Sequence, residues 1–468
     1  MAWSVTFVFG LLSFQVTSAY RFQIYGSSRS TLLEATSLRL SSTPASVKLN
    51  NSVDISYYAE ISFGNQTFTV LVDTGSSDLW VAGSVINSTF SGHNASIKYA
   101  ANSVMGPIKY VDVNFAGHQV AKQAFLEIAP DQKSLEGYGI LGLGPGSGSF
   151  IAHTLSSNGT TLLDRIFYQN SSNPNFFTIL LDRDIDPTTS YEGSITLGEV
   201  IPEFSSILEQ PKLPVTSVPE GESVDQHLQI LLDPNGIIGP DGKAISTRTS
   251  VEQTENKDQM TVVIDSGFTL PQFPRPIVDG IYSRFRDTEF RDVAGIGAVY
   301  VLPCEQEVNV TFLFSGKSYP MHPLDMTLDP SSIQLPALRT SQGQKACIGT
   351  FQPFTYGRGS KPNYDIVLGM AFLRNVYALF DYGNVVKNST TPQDSYVQFL
   401  SITEHAEAHG DFVTVRLGGI DTTGTRGLVS DSGFGGNKTI YYIVAGVIVA
   451  VFLCALVIFM ILRARRRR

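Results

Sequence analysis

Two short turns constrain this chain more than anything else in it. Val70-Leu71-Val72-Asp73-Thr74-Gly75-Ser76 and Val262-Val263-Ile264-Asp265-Ser266-Gly267 each carry an aspartate and a glycine out of an apolar, β-branched run, and the two aspartates are 192 positions apart. A carboxylate at a strand end meets backbone N–H groups and neighbouring hydroxyls that hold it ionised, and the glycine lets the backbone fold sharply beside it. One Asp-x-Gly means little, because both residues are common in turns. Two in the same local setting make an internal repeat and point to two related halves.

The surrounding pattern is mainly β. From Val53 to about Ile201 short alternating strands are separated by Gly, Asn and Ser turns, with a hairpin expected around Tyr99-Ala100-Ala101-Asn102-Ser103. Gly137-Tyr138-Gly139-Ile140-Leu141-Gly142 matches G-x-G-x-x-G, but further glycines follow it instead of a helix, so it does not read as a dinucleotide site. Residues 202–258 are broken by prolines and read as a link and variable region. Pro274 opens a short helix with Ile277, Val278, Ile281 and Phe285 apolar, and strands are expected over Val308–Phe314, Val376–Asp381 and Tyr396–Ile402. Ile366-Val367-Leu368-Gly369 repeats Gly139-Ile140-Leu141-Gly142, so each half has an aspartate turn and then an apolar-apolar-glycine turn.

The ends of the 468-residue chain read differently. An apolar run from Val5 to Phe14 followed by Thr17 and Ala19 fits a secretory signal over residues 1–19. Residues 20–50 are Ser/Thr-rich and basic and form either a flexible extension or a prosegment; their charge contrast with the acidic residues 51–462 favours the prosegment. Ile440–Leu462 is 23 residues without a charge, reaching about 34 Å as a helix against a hydrocarbon core of about 30 Å. Tyr441 and Tyr442 lie at its start and Arg463 and Arg465–Arg468 come after it, as in a membrane helix with a cytoplasmic basic tail; the basic end disfavours a GPI signal.

The division expected is therefore signal 1–19, prosegment 20–50, N-terminal β lobe 51–205, C-terminal β lobe 206–402, flexible stalk 403–438, transmembrane helix 439–462 and tail 463–468. Net charge is −9, and taking away the five tail arginines and the net +3 of residues 20–50 leaves −17 for residues 51–462, which argues against nucleic acid. Cys454 lies in the membrane run, so Cys304 and Cys347 are the pair available to an oxidising lumen, and their closure is worth roughly 4 kcal/mol on a chain-entropy model. A zinc site would need more ligands than these, and no histidine has the company of a metal cluster or triad. Nine N-x-S/T sequons (Asn50, Asn65, Asn87, Asn94, Asn158, Asn170, Asn309, Asn388 and Asn437) fit a lumenal glycoprotein.

Taken in order, Asp73-Thr74-Gly75-Ser76-Ser77 with Trp80, Tyr99 before Ser103 and Gly106, Gly139–Gly142, Asp265-Ser266-Gly267, Cys304 to Cys347 and Ile366–Gly369 resemble the pepsin-like aspartic proteases over about Tyr57–Ile402. The arrangement is similar to fungal membrane-bound members. The resemblance implies a bilobal β fold with an active-site cleft between pseudo-symmetric lobes, one aspartate from each, Tyr99 on a hairpin flap and Trp80 near it. It implies peptide hydrolysis by a water activated between Asp73 and Asp265, with Gly75, Gly267 and Ser76 supporting the pair and with no cofactor or metal. Protein or peptide substrates, activation of a zymogen, acid pH, a single-pass anchor at the cell surface or in a vacuolar or endosomal membrane, and a monomer complete the expectation. The chain departs from the family pattern at Phe268, where Ser or Thr is usual, and at Ala100 and Asn102 in the flap, where glycines are usual. The alternative reading is a pepsin-fold binding protein with impaired catalysis; a paired-carboxylate glycosidase would leave the symmetric repeat unexplained.

Overall fold

The strand that delivers Asp73 lies inside a sheet, not at its edge, and the same holds for the strand before Asp265. In the computed structural model, which describes residues 46–428 except 53, 101–102, 170–173, 185–186, 189–190, 220–221, 223–224, 295, 334, 384–394 and 426, two such sheets lie in the two halves of the sequence. The first runs, in spatial order, through Asn50–Ser52, Ser56–Phe63, Gln66–Asp73, Tyr138–Gly142, Leu79–Ala82, His118–Ile128, Ser103–Phe115 and Thr89–Lys98. The second runs through Gln229–Leu231, Thr261–Ile264, Ile366–Leu368, Gln272–Phe273 and Gln352–Pro353.

The repeat seen in the sequence is structural. Tyr138–Gly142 pairs in parallel with Gln66–Asp73 and antiparallel with Leu79–Ala82, while Ile366–Leu368 pairs in parallel with Thr261–Ile264 and antiparallel with Gln272–Phe273. Parallel strands covered on both faces need continuous apolar runs, and Val70, Leu71, Val72, Val262, Val263, Ile264, Ile366, Val367 and Leu368 are all buried. The G-x-G-x-x-G stretch is thus a strand, and Gly139 and Gly142 are there because a side chain would collide with the backbone at Trp80 and Asp78.

A third sheet takes strands from both halves: Ser46–Lys48, Ser194–Leu197, Phe176–Leu180, Val376–Asp381, Tyr396–Ser401 and Leu213–Pro214. It joins the halves of a mainly β, two-lobed fold with few helices. Its core includes Phe177 stacked on Phe380, and the second half has its own aromatic core in Phe312, Phe351, Phe372 and Phe399. The helix expected after Pro274 is present as Arg275–Tyr282 with Ile277, Val278 and Ile281 buried. Cys304 and Cys347 form the disulfide.

Two segments differ from expectation. Ser46–Lys48, assigned to a prosegment, is a strand paired with Ser194–Leu197, and Lys48 makes an exposed ion pair with Glu192 at 2.7 Å. Residues 403–438 were expected to be a stalk without regular structure, yet His405–Leu417 is a helix closed by Gly418 at φ 68°, a left-handed value that glycine adopts without cost. It buries Ala408, Asp411, Phe412 and Val413, and Arg416 donates to the Thr327 carbonyl at 3.1 Å. Its apolar residues do not fall on one helical face, and Gly410 interrupts it, so periodicity gave no signal. The expected signal (1–19) and membrane helix (439–462) lie outside the described residues. Among the described residues no helix is long and apolar enough to cross a membrane.

Candidate functional site

Asp73 closes its strand with its carboxylate held from within its own turn. Gly75 N–H donates to Oδ1 at 3.0 Å and the Ser76 hydroxyl donates to Oδ2 at 2.5 Å. In the second half, Gly267 N–H donates to Asp265 Oδ1 at 2.7 Å. Both aspartates are buried, 1% and 8% exposed. An ionised carboxylate in such a place depends on these donors.

The two turns are locked face to face. The Thr74 hydroxyl donates to the Ile264 carbonyl at 2.8 Å and accepts from Ser266 N–H at 2.8 Å. Reciprocally, the Ser266 hydroxyl donates to the Val72 carbonyl at 2.8 Å and accepts from Thr74 N–H at 3.1 Å. The approach is so close that a Cβ added to Gly75 would overlap the Asp265 carboxylate, and one added to Gly267 would overlap the carboxyl of Asp73. Each glycine therefore makes room for the opposite aspartate, a cross-relation that a single turn cannot reveal.

Around this pair, Trp80 Nε1–H donates to the Tyr99 hydroxyl at 2.7 Å, joining the strand after the first turn to the tip of the hairpin formed by Thr89–Lys98 and Ser103–Phe115. Of the flap departures, Asn102 lies outside the described residues. Phe268 makes the two turns unequal. Its ring packs against Tyr356 with centroids 6.0 Å apart, and the Tyr356 hydroxyl meets that of Tyr364 at 3.1 Å. Burial pushes both phenols up, and the negative charge of Asp265 adds to it, so both stay protonated hydroxyls at any working pH.

Sequence reasoning brought Asp73, Asp265, Gly75, Gly267 and Ser76 together, and the structure gathers them. It paired Trp80 with Tyr99 only loosely. It missed Asp78, whose carboxylate receives Ser149 Oγ–H at 2.5 Å, Phe150 N–H at 2.9 Å and Ile151 N–H at 3.1 Å behind the first turn; burial still raises its pKa. It also missed His227, Tyr356 and Tyr364; Tyr364 stands just before the Ile366–Gly369 turn, but nothing in that spacing marks it. Asn50, Asn65, Asn87, Asn94, Asn158 and Asn309 are exposed, whereas Asn170, Asn388 and Asn437 lie outside the described residues.

Residues 56–388 match the family model described as eukaryotic aspartyl protease. Among known proteins, the chain is similar to the major aspartyl peptidase 1 of Cryptococcus neoformans var. grubii, 25% identical over 351 residues that cover 70% of this chain and 67% of that one. It is 27% identical over 365 residues to a probable aspartic-type endopeptidase of Aspergillus fumigatus, covering 70% and 77%. It is 29% identical over 361 residues to cathepsin E of Mus musculus, covering 72% and 80%.

Proposed function

The chain belongs to the eukaryotic aspartyl protease family and is an aspartic endopeptidase, and we propose that Asp73 and Asp265 are its catalytic pair. The observation that carries this is the crossed fit of Gly75 against Asp265 and Gly267 against Asp73. Two carboxylates that close cannot both ionise easily, so they share a proton and titrate as a pair. The ionised member takes a proton from the attacking water while the protonated member donates to the scissile carbonyl oxygen. The product of attack is a tetrahedral intermediate with no covalent bond to the enzyme. An extended peptide lies beneath the Tyr99 hairpin, which orients it and excludes bulk water.

This reading extends to the rest of the chain. A signal over 1–19, a prosegment ending before the Ser46–Lys48 strand, a linker after the His405–Leu417 helix and a membrane helix over 439–462 make it a zymogen of the secretory pathway, anchored with its catalytic lobes lumenal or extracellular. The strand at Ser46–Lys48 is built into the shared sheet, so a prosegment would be cut before it or exchange with the new terminus. The six exposed sequons are compatible with glycosylation.

The test is cleavage of a denatured protein across pH by the purified protein. Asp73→Asn and Asp265→Asn should each abolish cleavage and leave the unfolding midpoint in place. Activity surviving in either variant refutes the pair, and an inactive but folded wild-type protein points instead to a binding role.

A further inference from the structure

One titratable side chain contacts the first aspartate's turn without belonging to either motif. His227 lies just before the strand Gln229–Leu231, which pairs antiparallel with Thr261–Ile264 in the register Gln229 to Val263. Ile264 N–H donates to the Leu228 carbonyl at 3.0 Å, so His227 directly precedes the segment paired with the strand that leads into Asp265. The imidazole, however, reaches to the other half: Nδ1 is 3.0 Å from the Gly75 carbonyl. A carbonyl only accepts, so Nδ1 carries the proton.

That bond falls at a sensitive place. The Gly75 carbonyl belongs to the peptide leading into Ser76, whose hydroxyl is one of the donors to Asp73, while Gly75 N–H is another. Fixing this peptide fixes the direction of the Ser76 hydroxyl. A side chain held across the lobe boundary on a catalytic turn positions the turn as no local contact can.

We propose that His227 is a positioning residue for Asp73, acting through the Gly75 carbonyl, and that its protonation places a cation beside the aspartate pair. The inference rests on the reading of Asp73 and Asp265 as the catalytic pair. The groups facing the imidazole are Asp225 on its own segment, Asp73 on the first turn, and Tyr364, whose ring meets it edge-on at 5.8 Å. Behind Tyr364 are Tyr356, hydroxyl to hydroxyl, and Arg358, which donates to the Tyr364 carbonyl at 2.7 Å. Burial pushes the imidazole below its ordinary pKa, opposed by its bond to Gly75 and by the charges of Asp225 and Asp73. Above that pKa it is a neutral donor to Gly75. Below it the same bond persists and the added charge favours the ionised form of the neighbouring carboxylates. The acid limb of activity, set by ionisation of one aspartate, therefore lies lower than it would without His227.

Two substitutions separate the donor from the charge. His227→Phe keeps a ring against Tyr364 and loses both, and His227→Asn keeps an N–H near the Nδ1 position and loses only the charge. His227→Phe should lower kcat on the order of tenfold or more with KM within about twofold, the signature of a misplaced catalytic group. His227→Asn should recover most of that loss, and both should move the acid limb up by roughly half a pH unit. Unfolding midpoints of both variants control for damage to the fold. Wild-type kcat in His227→Phe, a loss confined to KM, an asparagine no better than phenylalanine, or an unmoved acid limb each overturns the proposal. Imidazole ¹⁵N resonances of the intact protein and of Asp73→Asn, read without any activity, keep the two readings apart. A proton on Nδ1 and a midpoint lowered when the Asp73 charge is removed are expected. If cleavage survives in Asp73→Asn, the catalytic reading fails whatever the resonances show; a proton on Nε2 instead defeats the His227 assignment alone.

Discussion

At residue 268 the two aspartate turns stop being equivalent. Ser76 donates its hydroxyl to Asp73, whereas the matching position after Asp265 carries a phenyl ring turned onto Tyr356. A further donor to an ionised carboxylate lowers its pKa. Phe268→Thr is therefore expected to draw the acid limb of kcat/KM to lower pH, by about half a unit for one partly solvated hydroxyl; an unmoved limb means that the hydroxyl does not reach the carboxylate. The inequality was legible in the sequence because it sits inside the repeated motif, where Asp, Gly and the residue three places on are compared directly. His227 was not legible. Its neighbours in the chain say nothing of Gly75, 152 positions away, and a lone histidine between polar and apolar residues reads the same whether it faces solvent or an aspartate turn. The crossed use of Gly75 and Gly267 was half legible: the sequence marks both as sharp turns, but that each clears space for the other half's carboxylate depends on how the halves meet.

Among the elements, the hairpin carrying Tyr99 is the one that the proposed function sets over the substrate. It is read easily from two alternating runs around a polar turn, and Thr89–Lys98 and Ser103–Phe115 run longer than those runs because the sheet continues past the segment near the cleft. A hydrogen bond of 2.7 Å from the Trp80 indole to the Tyr99 hydroxyl ties its tip to the strand after the first turn. Tyr99→Phe removes the acceptor and Trp80→Phe the donor, and each should cost several-fold in kcat/KM, in line with about 1 kcal/mol for one such bond. The pair should lose little more than either alone, since the second change removes a bond already broken. Additive losses in that double-mutant cycle would show that Tyr99 acts independently of Trp80. The helix His405–Leu417 shows why the far end of the lobe was misread. It is held by Phe412, by the Thr188 hydroxyl donating to Asp411 at 2.7 Å and by Arg416 reaching Thr327, all contacts to distant segments that leave no helical pattern of their own.

At the scale of the whole molecule, a fall in pH that protonates surface carboxylates challenges the registration of the two halves. A buried cluster about Asp325 provides for this. Asp325 is 1% exposed and accepts from Arg183 Nη2 at 2.6 Å, Arg374 Nε at 2.6 Å and Asn375 Nδ2 at 2.8 Å, while Arg374 Nη1 donates to the Asp54 carbonyl at 2.9 Å. Arg183 and Asp54 come from the first half of the chain, Asp325 and Arg374 from the second, so this carboxylate binds the lobes through charges that the sequence could not have paired. Burial alone would push its pKa up, but Arg183 and Arg374 prevail and hold it at about 2. Its folded value lies below its unfolded one, so its contribution to stability is complete above the ordinary carboxylate range and is lost only as pH falls through about 2. The clamp thus stays ionised under conditions acid enough to protonate most exposed carboxylates. Asp325→Asn leaves two guanidinium groups buried without their counter-charge and is expected to cost about 3–5 kcal/mol near neutral pH. Because protonated Asp325 resembles the asparagine, the gap in unfolding midpoint between the two proteins should be constant from pH 7 to about 4 and clearly narrower by about pH 2. Midpoints followed by tryptophan fluorescence or calorimetry across that range decide the matter: a gap as wide at pH 2 as at pH 6 would mean that the lobes are held by the shape of the cluster and not by the charge of Asp325.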